Sequence, residues 1–152
     1  MADAVEAAPA AAFQFGVNLD AHPGVDTSFA EVSGIAAEMQ TEDVHEGGEN
    51  RFVHALPKGV KHPPLELKRA IAVKDSVLVQ WCKSTLESGL ALAVQPKSLT
   101  VKLLDAAGQP LRAWSFANAF PVKWEVEPFS ATKNELAIEK IVLHYTYSAR
   151  LL

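Results

Sequence analysis

The chain has 152 residues, is 49% hydrophobic and 21% charged, and carries a formal net charge of −4 at pH 7. That length suits one domain that buries its own core, and the acidic balance argues against a large basic face for nucleic acid. The single cysteine, Cys82, excludes an internal disulfide and any site that needs several thiolates.

The first twelve residues form an Ala-rich segment with seven alanines. This segment has no basic residue at its start, and Asp3, Glu6 and Pro9 interrupt its apolar residues. It therefore lacks both the basic segment and the long apolar run of a secretory signal. No stretch elsewhere approaches the roughly 20 apolar residues of a membrane-spanning helix. We therefore expect a flexible arm over 1–12, a single domain over 13–152, and a cytoplasmic protein.

Two segments follow with the spacing of strands. Apolar residues occupy every second position over 13–19, which is the period of a half-buried strand. The Pro-Gly pair at 23–24 indicates a turn. The apolar residues between positions 29 and 39 are less regular and surround Gly34, so we expect one or two strands interrupted by a glycine bulge or bend.

The composition changes over residues 41–64, which are mostly polar, hold the pair Gly47-Gly48 and contain three prolines. Loops of this length in a compact domain are usually functional or disordered. The sequence therefore predicts a long loop or projecting hairpin, with the projecting part at about 42–59.

The middle of the chain holds a strand and then a helix. Residues 65–69 alternate between apolar and polar, which predicts a strand. Asp75 is placed to cap a helix at its start, and Gly89 to end it. Between them, apolar side chains at 3.6-residue spacing share one face: Val77, Leu78, Trp81, Cys82 and Leu86.

The last third of the chain consists of predicted strands joined by short turns. Apolar alternation marks residues 99–103, 111–118, 122–126 and 136–147, and Pro121 is expected to break the chain between the second and third runs. Six to eight short strands favour a mainly β fold, an antiparallel barrel or two-sheet sandwich with one flanking α-helix. The predicted core residues are Leu78, Trp81, Trp114, Phe116 and Trp124.

Patterns for catalysis and metal binding are weak throughout. His45, His54 and His62 share the long loop, which makes a metal site conceivable, but their spacing matches no metal motif and solvated histidines are the simpler interpretation. Cys82 lies on the apolar face of the predicted helix, where a packed core residue is favoured over a nucleophile. The sequence therefore predicts no catalytic residue, no cofactor and no metal, and it predicts that the protein is not an enzyme.

Several segments resemble elements of one protein family, in the order in which that family has them. Residues 29–35 (FAEVSGI) resemble its F-x-E-V-S-G-L element, and residues 46–50 (EGGEN) resemble its EGGEN loop. The remaining matches are Leu56-Pro57 with residues 65–69 (LP…LELKR), Trp81 at the helix tryptophan, residues 103–114 (LLDAAGQPLRAW), residues 118–124 (NAFPVKW) and residues 137–139 (AIE).

This ordered set, from about Phe13 to Tyr147, is similar to the phage tail-tube-like proteins. That family covers myophage tail tubes and the inner tubes of contractile injection systems, and the hemolysin-coregulated tube proteins of type VI secretion share its fold. The resemblance implies a structural subunit and not an enzyme. Hexameric rings would stack into a hollow tube inside a contractile sheath and deliver cargo through a target membrane.

The resemblance also implies a set of partners. They are further copies of the chain in rings and stacked rings, the contractile sheath protein, the baseplate or spike and tube-terminating proteins, and cargo in the lumen. No specific nucleic acid is expected. The phage-tail-like particle would be released from the cell or anchored to a membrane such as the thylakoid, and the sequence leaves that choice open.

The projecting loop is the favoured contact between subunits, because stacked rings need heterologous contacts that do not close on themselves. Two alternatives stay open. Lys58, Ala70 and Phe120 depart from the family motifs, which fits a baseplate-proximal tube initiator of the same fold, whereas a small-ligand-binding β-barrel would also explain the strands and aromatics. The residues expected at the contact are Glu42, His45, Glu46, Gly47, Gly48, Glu49, Asn50 and Arg51.

Overall fold

The computed structural model describes residues 13–20, 26–45, 47–48, 53–70, 76–91, 93–127 and 138–152. Within these ranges the chain forms nine strands and one helix. In chain order they are β1 (Gln14–Leu19), β2 (Asp26–Ser33), β3 (Glu38–Val44), β4 (His54–Lys61), β5 (Leu65–Ala70), α1 (Val77–Glu87), β6 (Lys97–Leu104), β7 (Pro110–Val126), β8 (Ile138–His144) and β9 (Tyr147–Arg150).

Six of the strands close into an antiparallel barrel in the order β6-β1-β2-β5-β8-β7, because β7 returns to pair with β6. The long strand β7 changes partners along its length. Its first half pairs with β6, as at Phe116 opposite Leu99, and its second half pairs with β8, as at Trp124 opposite Ile141. The short strand β9 follows β8 and lies along the first half of β7. The predicted mainly β, antiparallel fold with one flanking helix is confirmed.

Alternation along the strands fills the barrel with apolar side chains. On β5, Leu65 and Leu67 are fully buried, whereas Glu66 between them is only half-buried. The helix α1 adds Leu78 and Cys82 to the same core. Burying a side chain of this size is worth about 1.5–3 kcal/mol. The centre of the barrel is therefore occupied by the protein's own side chains, which argues against the alternative of a ligand-binding barrel.

The five predicted core residues fall into two groups. Leu78 and Phe116 are 1% exposed and Trp81 is 7% exposed, so these three lie inside the core. Trp114 and Trp124 are half-buried and pack against it. The alternation of strand residues and the helix periodicity thus place all five at the core or on its border.

A buried ion pair joins the helix to the strands. The Arg69 Nε donates to Glu139 Oε2 at 3.1 Å, and both side chains are 3% exposed. The Arg69 Nη2 donates to Ser76 Oγ at 3.0 Å, and the Trp124 Nε1 donates to the other Glu139 oxygen at 2.7 Å. The guanidinium also lies 4.2 Å from the centre of the Phe29 ring. Because buried charges are costly unless they are paired and hydrogen-bonded, this network fixes the start of α1 against β2, β5, β7 and β8.

The two ends of α1 differ in how well the sequence located them. Ser76 is the N-cap, and its Oγ accepts a hydrogen bond from the Val79 N–H at 3.3 Å. The expectation that Asp75 caps the helix is wrong by one residue, because the cap is Ser76. Asp75 itself lies outside the described residues. The Ser76 hydroxyl also accepts from the Arg69 guanidinium, so the cap contacts a strand that precedes the helix. Gly89 follows the last turn with φ of +60°, the left-handed conformation that suits a helix stop.

The expected break at Pro121 is wrong, because β7 continues through this residue without interruption. The pairing of β7 with β6 ends at Ala119, and its register with β8 shifts between Pro121 and Lys123. A shift of this kind lets a strand accommodate a residue that has no N–H to donate. A proline in the sequence therefore marks the place where β7 changes partners and not where it ends.

Candidate assembly surfaces

The strands β3 and β4 form a two-stranded antiparallel hairpin that is separate from the barrel sheet. Their pairing runs from Glu38 opposite Lys61 to Val44 opposite His54. All of their residues are exposed except Val44, which is half-buried. Because two strands alone are only marginally stable in water, a hairpin of this kind gains stability when a neighbouring molecule covers it.

The segment 42–59 was expected to be a long loop or projecting hairpin, and its residues 42–44 and 54–59 lie on these paired strands. Glu42 lies on β3, His45 follows the end of that strand and is exposed, and Gly47 and Gly48 form a turn. Four of the residues expected at the contact lie outside the described residues: Glu46, Glu49, Asn50 and Arg51.

The histidines of this segment do not come together. His54 pairs with the last residue of β3, near His45, whereas His62 follows the other end of the hairpin. Among the described residues there is no group of three His, Cys, Asp or Glu side chains that could hold a metal ion. The three histidines, all of them in the described part of the chain, are therefore not gathered into one ligand set.

Apolar side chains are exposed on the hairpin. Met39 and Val60 lie opposite each other and are 52% and 58% exposed, and Leu56 is 50% exposed. The interruption expected around Gly34 is confirmed: β2 ends at Ser33 and β3 begins at Glu38, which places Met39 on the hairpin and not on the barrel. The charges divide by strand: Glu38, Glu42 and Asp43 are on β3, and Lys58 and Lys61 are on β4.

Two short segments, residues 34–37 and 62–64, join the hairpin to the barrel, and we call them the neck. Gly34 has φ of +95°, and a Cβ there would collide with the Pro64 backbone, so only glycine fits. The Tyr145 hydroxyl donates to the carbonyl oxygens of Gly34 at 2.8 Å and Ala36 at 3.3 Å. The His62 Nδ1 donates to the same Ala36 oxygen at 3.0 Å. Both polypeptide segments of the neck are thereby held in place.

Tyr145 connects the neck to the barrel core. It lies between β8 and β9, where the sequence predicted one unbroken strand over 136–147. Its ring meets Phe116 edge-on, with the ring centres 4.9 Å apart. Burial raises the pKa of the Tyr145 hydroxyl, and the hydrogen bond to Ala36 offsets part of that rise. The hydroxyl therefore stays protonated, and remains a donor, at neutral pH.

A groove of about 530 Å³ separates α1 from residues 93–97. Trp81 lines it, and the buried Nε1 of Trp81 has no hydrogen-bond acceptor among the described residues. Val77 and Val94, on opposite sides of the groove, are each 36% exposed. The helix side consists of residues one turn apart on one face: Val77, Gln80, Trp81, Ser84, Thr85 and Ser88.

The outer face of β5, β7 and β8 differs from both of these surfaces, because its charges pair with one another. Exposed pairs of this kind contribute about 0–1 kcal/mol each, so their main effect is to leave the face nearly neutral and hydrated. The pairs are Glu66–Lys140 at 3.3 Å, Lys68–Glu127 at 3.7 Å and Lys123–Glu125 at 3.4 Å.

Comparison with known proteins places this fold in a family. A family described as T4-like virus tail tube protein gp19 matches residues 11–149 of the chain. The chain belongs to this tail tube family. It is therefore a structural subunit of a tube, and the resemblance in the ordered motifs of its sequence is confirmed. No curated protein matches the chain.

Solved structures share the tail tube fold. A chain of the anti-feeding prophage baseplate, described as 6-fold symmetrised, has 23% sequence identity and a TM-score of 0.72, and the match covers 92% of each chain. A chain of the sheath-tube complex of the extracellular contractile injection system PVC has 24% identity and a TM-score of 0.69, covering 91% of this chain and 88% of that one. Hcp1 from Salmonella typhimurium has 10% identity and a TM-score of 0.56, covering 91% and 85%.

Among the residues that the structure describes, the fold carries one helix, α1, which has 11 residues. Within the described ranges no helix is long and apolar enough to cross a membrane.

Proposed function

We propose that copies of this chain form hexameric rings that stack into the hollow inner tube of a contractile injection system. The observation that carries the proposal is a tail tube fold from which an antiparallel hairpin projects with both strands exposed. Rings that stack need a contact that does not close on itself, and a projecting segment that reaches a neighbour supplies one. Unpaired strand edges of the hairpin offer further backbone groups to that neighbour.

The outer end of the hairpin is the proposed contact between subunits. Glu42, His45, Gly47 and Gly48 are the described members of the predicted set. They lie on the part of the hairpin away from the neck, which Tyr145 and His62 hold against the barrel. A rigid neck supports this role, because a contact made by a pre-organised segment costs less ordering entropy.

The proposed partners follow from what the similar structures are said to contain. One is a sheath-tube complex, one a sheath/tube terminator and one a tube terminating cap. We infer a contractile sheath, a terminating protein and a baseplate or spike as partners, with cargo in the lumen and no specific nucleic acid. The chain would act without enzymatic activity. The particle would assemble in the cytoplasm and then be released or anchored to a membrane.

A baseplate-proximal tube initiator of the same fold is a second candidate. The match to a chain of the anti-feeding prophage baseplate, over 92% of both chains, favours it. The two roles differ in stoichiometry, because a main tube subunit recurs in every ring whereas an initiator occurs only at one end. Counting copies of the chain per intact particle by quantitative mass spectrometry separates them.

Electron microscopy of the purified chain tests the proposal directly. We expect six-fold rings, or tubes of stacked rings, whose abundance rises with protein concentration. A chain that stays monomeric at high concentration, with neither rings nor tubes under any condition, would contradict the proposal.

A further inference from the structure

We propose that the outer face of β5, β7 and β8 is a charge-balanced wall of the lumen, which lets polypeptide cargo of either net charge pass. The inference rests on the proposed function, because it names the chemical class of cargo that the hollow tube accepts and the residues that set this class. Together with the end of β2, which lies beside β5, we call this surface the paired-charge face.

Four strand segments lie side by side on the paired-charge face, and their residues are in register. Glu31 on β2 lies opposite Lys68 on β5, which lies opposite Lys140 on β8. Glu125 on β7 completes the row on the other side of Lys140. The neighbouring Leu67 is fully buried, and successive side chains of a strand leave on opposite faces. The row of charged side chains therefore faces away from the core of the barrel.

Both side edges of this four-strand surface are free in the described part of the chain. The pairing of β2 with β1 reaches only to Phe29, and the pairing of β7 with β6 ends at Ala119. Beyond these residues the described strand partners are β5 for β2 and β8 for β7. A sheet with free edges can continue into the sheets of neighbouring molecules. The paired-charge face is therefore suited to form one continuous wall around a ring.

No other described element covers the paired-charge face, since the Lys123 side chain is 55% exposed and the Glu66 side chain is 38% exposed. The helix α1 lies on the other side of the sheet, where its Lys83 Nζ is 5.0 Å from the centre of the Trp124 ring. Trp124 follows Lys123 on β7, so the two side chains leave the strand on opposite faces. Because a wall without protruding elements keeps a channel open, we assign this face to the lumen.

The charges of the paired-charge face nearly cancel. Each of its three lysines has a carboxylate partner, and Glu31 adds one more glutamate among the described residues. Opposite charges that lie this close together leave only a weak field at a distance, whereas a cleft lined by one sign concentrates ions of the other sign. The pairs, at 3.3 to 3.7 Å, are Glu66–Lys140, Lys123–Glu125 and Lys68–Glu127.

This balance sets the class of cargo. A lumen lined by glutamates alone would hold a basic polypeptide and repel an acidic one, because the field of a single sign reaches across a narrow channel. On the paired-charge face the lysines offset the glutamates, so a polypeptide of either net charge moves past the wall without being held or repelled. Lys68, Lys123 and Lys140 are thus the residues that keep the tube from selecting cargo by charge.

A cysteine placed on the paired-charge face tests its position in the tube. Ser33→Cys serves because the Ser33 hydroxyl donates to Glu66 at 3.3 Å on this face. Ala70→Cys, exposed on the same face of β5, repeats the measurement. In assembled tubes we expect a small maleimide dye to label either cysteine, and maleimide-coated gold particles wider than the lumen to appear only at tube ends. The unmodified chain is the control, because Cys82 is fully buried.

Charged thiol reagents test the balance of the wall. The ratio of the rates at which a cationic and an anionic methanethiosulfonate modify Ser33→Cys reports the local potential, because the reactivity of the thiol itself cancels. In tubes at low ionic strength we expect a ratio within about threefold of that for a cysteine in a short neutral peptide. Lys140→Glu should shift the ratio about tenfold towards the cationic reagent, and Lys140→Gln should shift it in the same direction by less. Arg112→Glu, the same change of charge at an exposed position on the first half of β7, is the control and should leave the ratio unaltered.

The outcomes separate this inference from the proposed function. Gold along the whole length of the tubes places the face outside, and cysteines that no reagent labels place it between copies, so either result overturns the inference and leaves the tube standing. A rate ratio outside the expected range overturns the balanced wall, as does an equal shift from Lys140→Glu and Arg112→Glu. Failure of the unmodified chain to form tubes contradicts the proposed function itself.

Discussion

The barrel and the hairpin are both built from antiparallel strands, yet they differ in the burial of their apolar side chains and in the pairing of their strand edges. In the barrel, Leu67 on β5 is fully buried and the edges of β5 are paired on both sides with β2 and β8. In the hairpin, Leu56 on β4 is 50% exposed, and among the described strands β4 pairs with β3 alone. The barrel is complete within one chain, whereas the hairpin leaves apolar side chains and backbone groups for a neighbour.

This difference indicates that the barrel stabilises the folded subunit and that the hairpin serves assembly. Changes in the barrel core and its ion pair should unfold the chain. Changes on the hairpin should leave folding unaltered and alter assembly. The neck, held by the hydrogen bond from Tyr145 to Gly34, connects the two regions.

The largest loss of stability is expected from Arg69→Met, which leaves Glu139 buried without its cation. Breaking a buried pair from one side typically costs about 3–5 kcal/mol. Lys140→Met is the control, because it removes one partner of the more exposed pair with Glu66, and pairs of that kind contribute about 0–1 kcal/mol. Urea unfolding followed by circular dichroism gives both values. Equal losses for the two variants would show that Arg69 does not hold the core together.

A pair of leucines tests the comparison between the two regions directly. Leu67→Ala opens a cavity in the barrel, for which about 2–5 kcal/mol is lost from the free energy of unfolding. Leu56→Ala removes the same atoms from an exposed hairpin position, where a change within about 0.5 kcal/mol is expected. If Leu56→Ala in the isolated chain destabilised as much as Leu67→Ala, the hairpin would be part of the folding core and not a separate surface.

The barrel strands and the helix were largely predictable, because their signals are local. The alternation at 65–69 and the stripe that includes Leu78 and Trp81 follow from burial of one face, and burial needs no knowledge of the partner. The same pattern predicts an interruption at Gly34, which the structure bears out, but it does not show that Met39 is exposed. The path of the chain after the bend depends on the close approach of Gly34 to Pro64, far along the chain.

Pairing was harder to predict than strands. No local sequence pattern indicates that β7 stops pairing with β6 after Ala119 and continues along β8. Pro121 was therefore expected to end a strand. The groove beside α1 was not predictable for a similar reason: the apolar periodicity of α1 identifies Trp81 as core, but says nothing of the space between the helix and residues 93–97. A groove becomes visible only once the packing around it is known.

A smaller effect, about 1 kcal/mol, is expected from Tyr145→Phe, which removes the hydroxyl that holds the neck and leaves its ring in place. Burial raises the pKa of Tyr145 in the folded chain. Its contribution is therefore present below the pKa of an unfolded tyrosine and is lost as the pH rises above about 10. Tyr147→Phe, at a position 59% exposed, is the control. A stability difference between wild type and Tyr145→Phe that stays constant up to pH 11 would contradict this assignment.

The smallest effect on folding, and the largest on assembly, is expected when residues 46–50 are deleted. The described strands β3 and β4 lie on either side of this segment and contribute no residue to the core of the barrel, so the free energy of unfolding should change by less than about 0.5 kcal/mol. Stacking, in contrast, should be lost, because the subunit contact is placed at this end of the hairpin. A variant that keeps the length of the segment but replaces it with glycine and serine separates reach from chemistry: if it stacks while the deletion does not, length alone matters. Normal tubes from the deletion variant would show that the contact between subunits lies elsewhere.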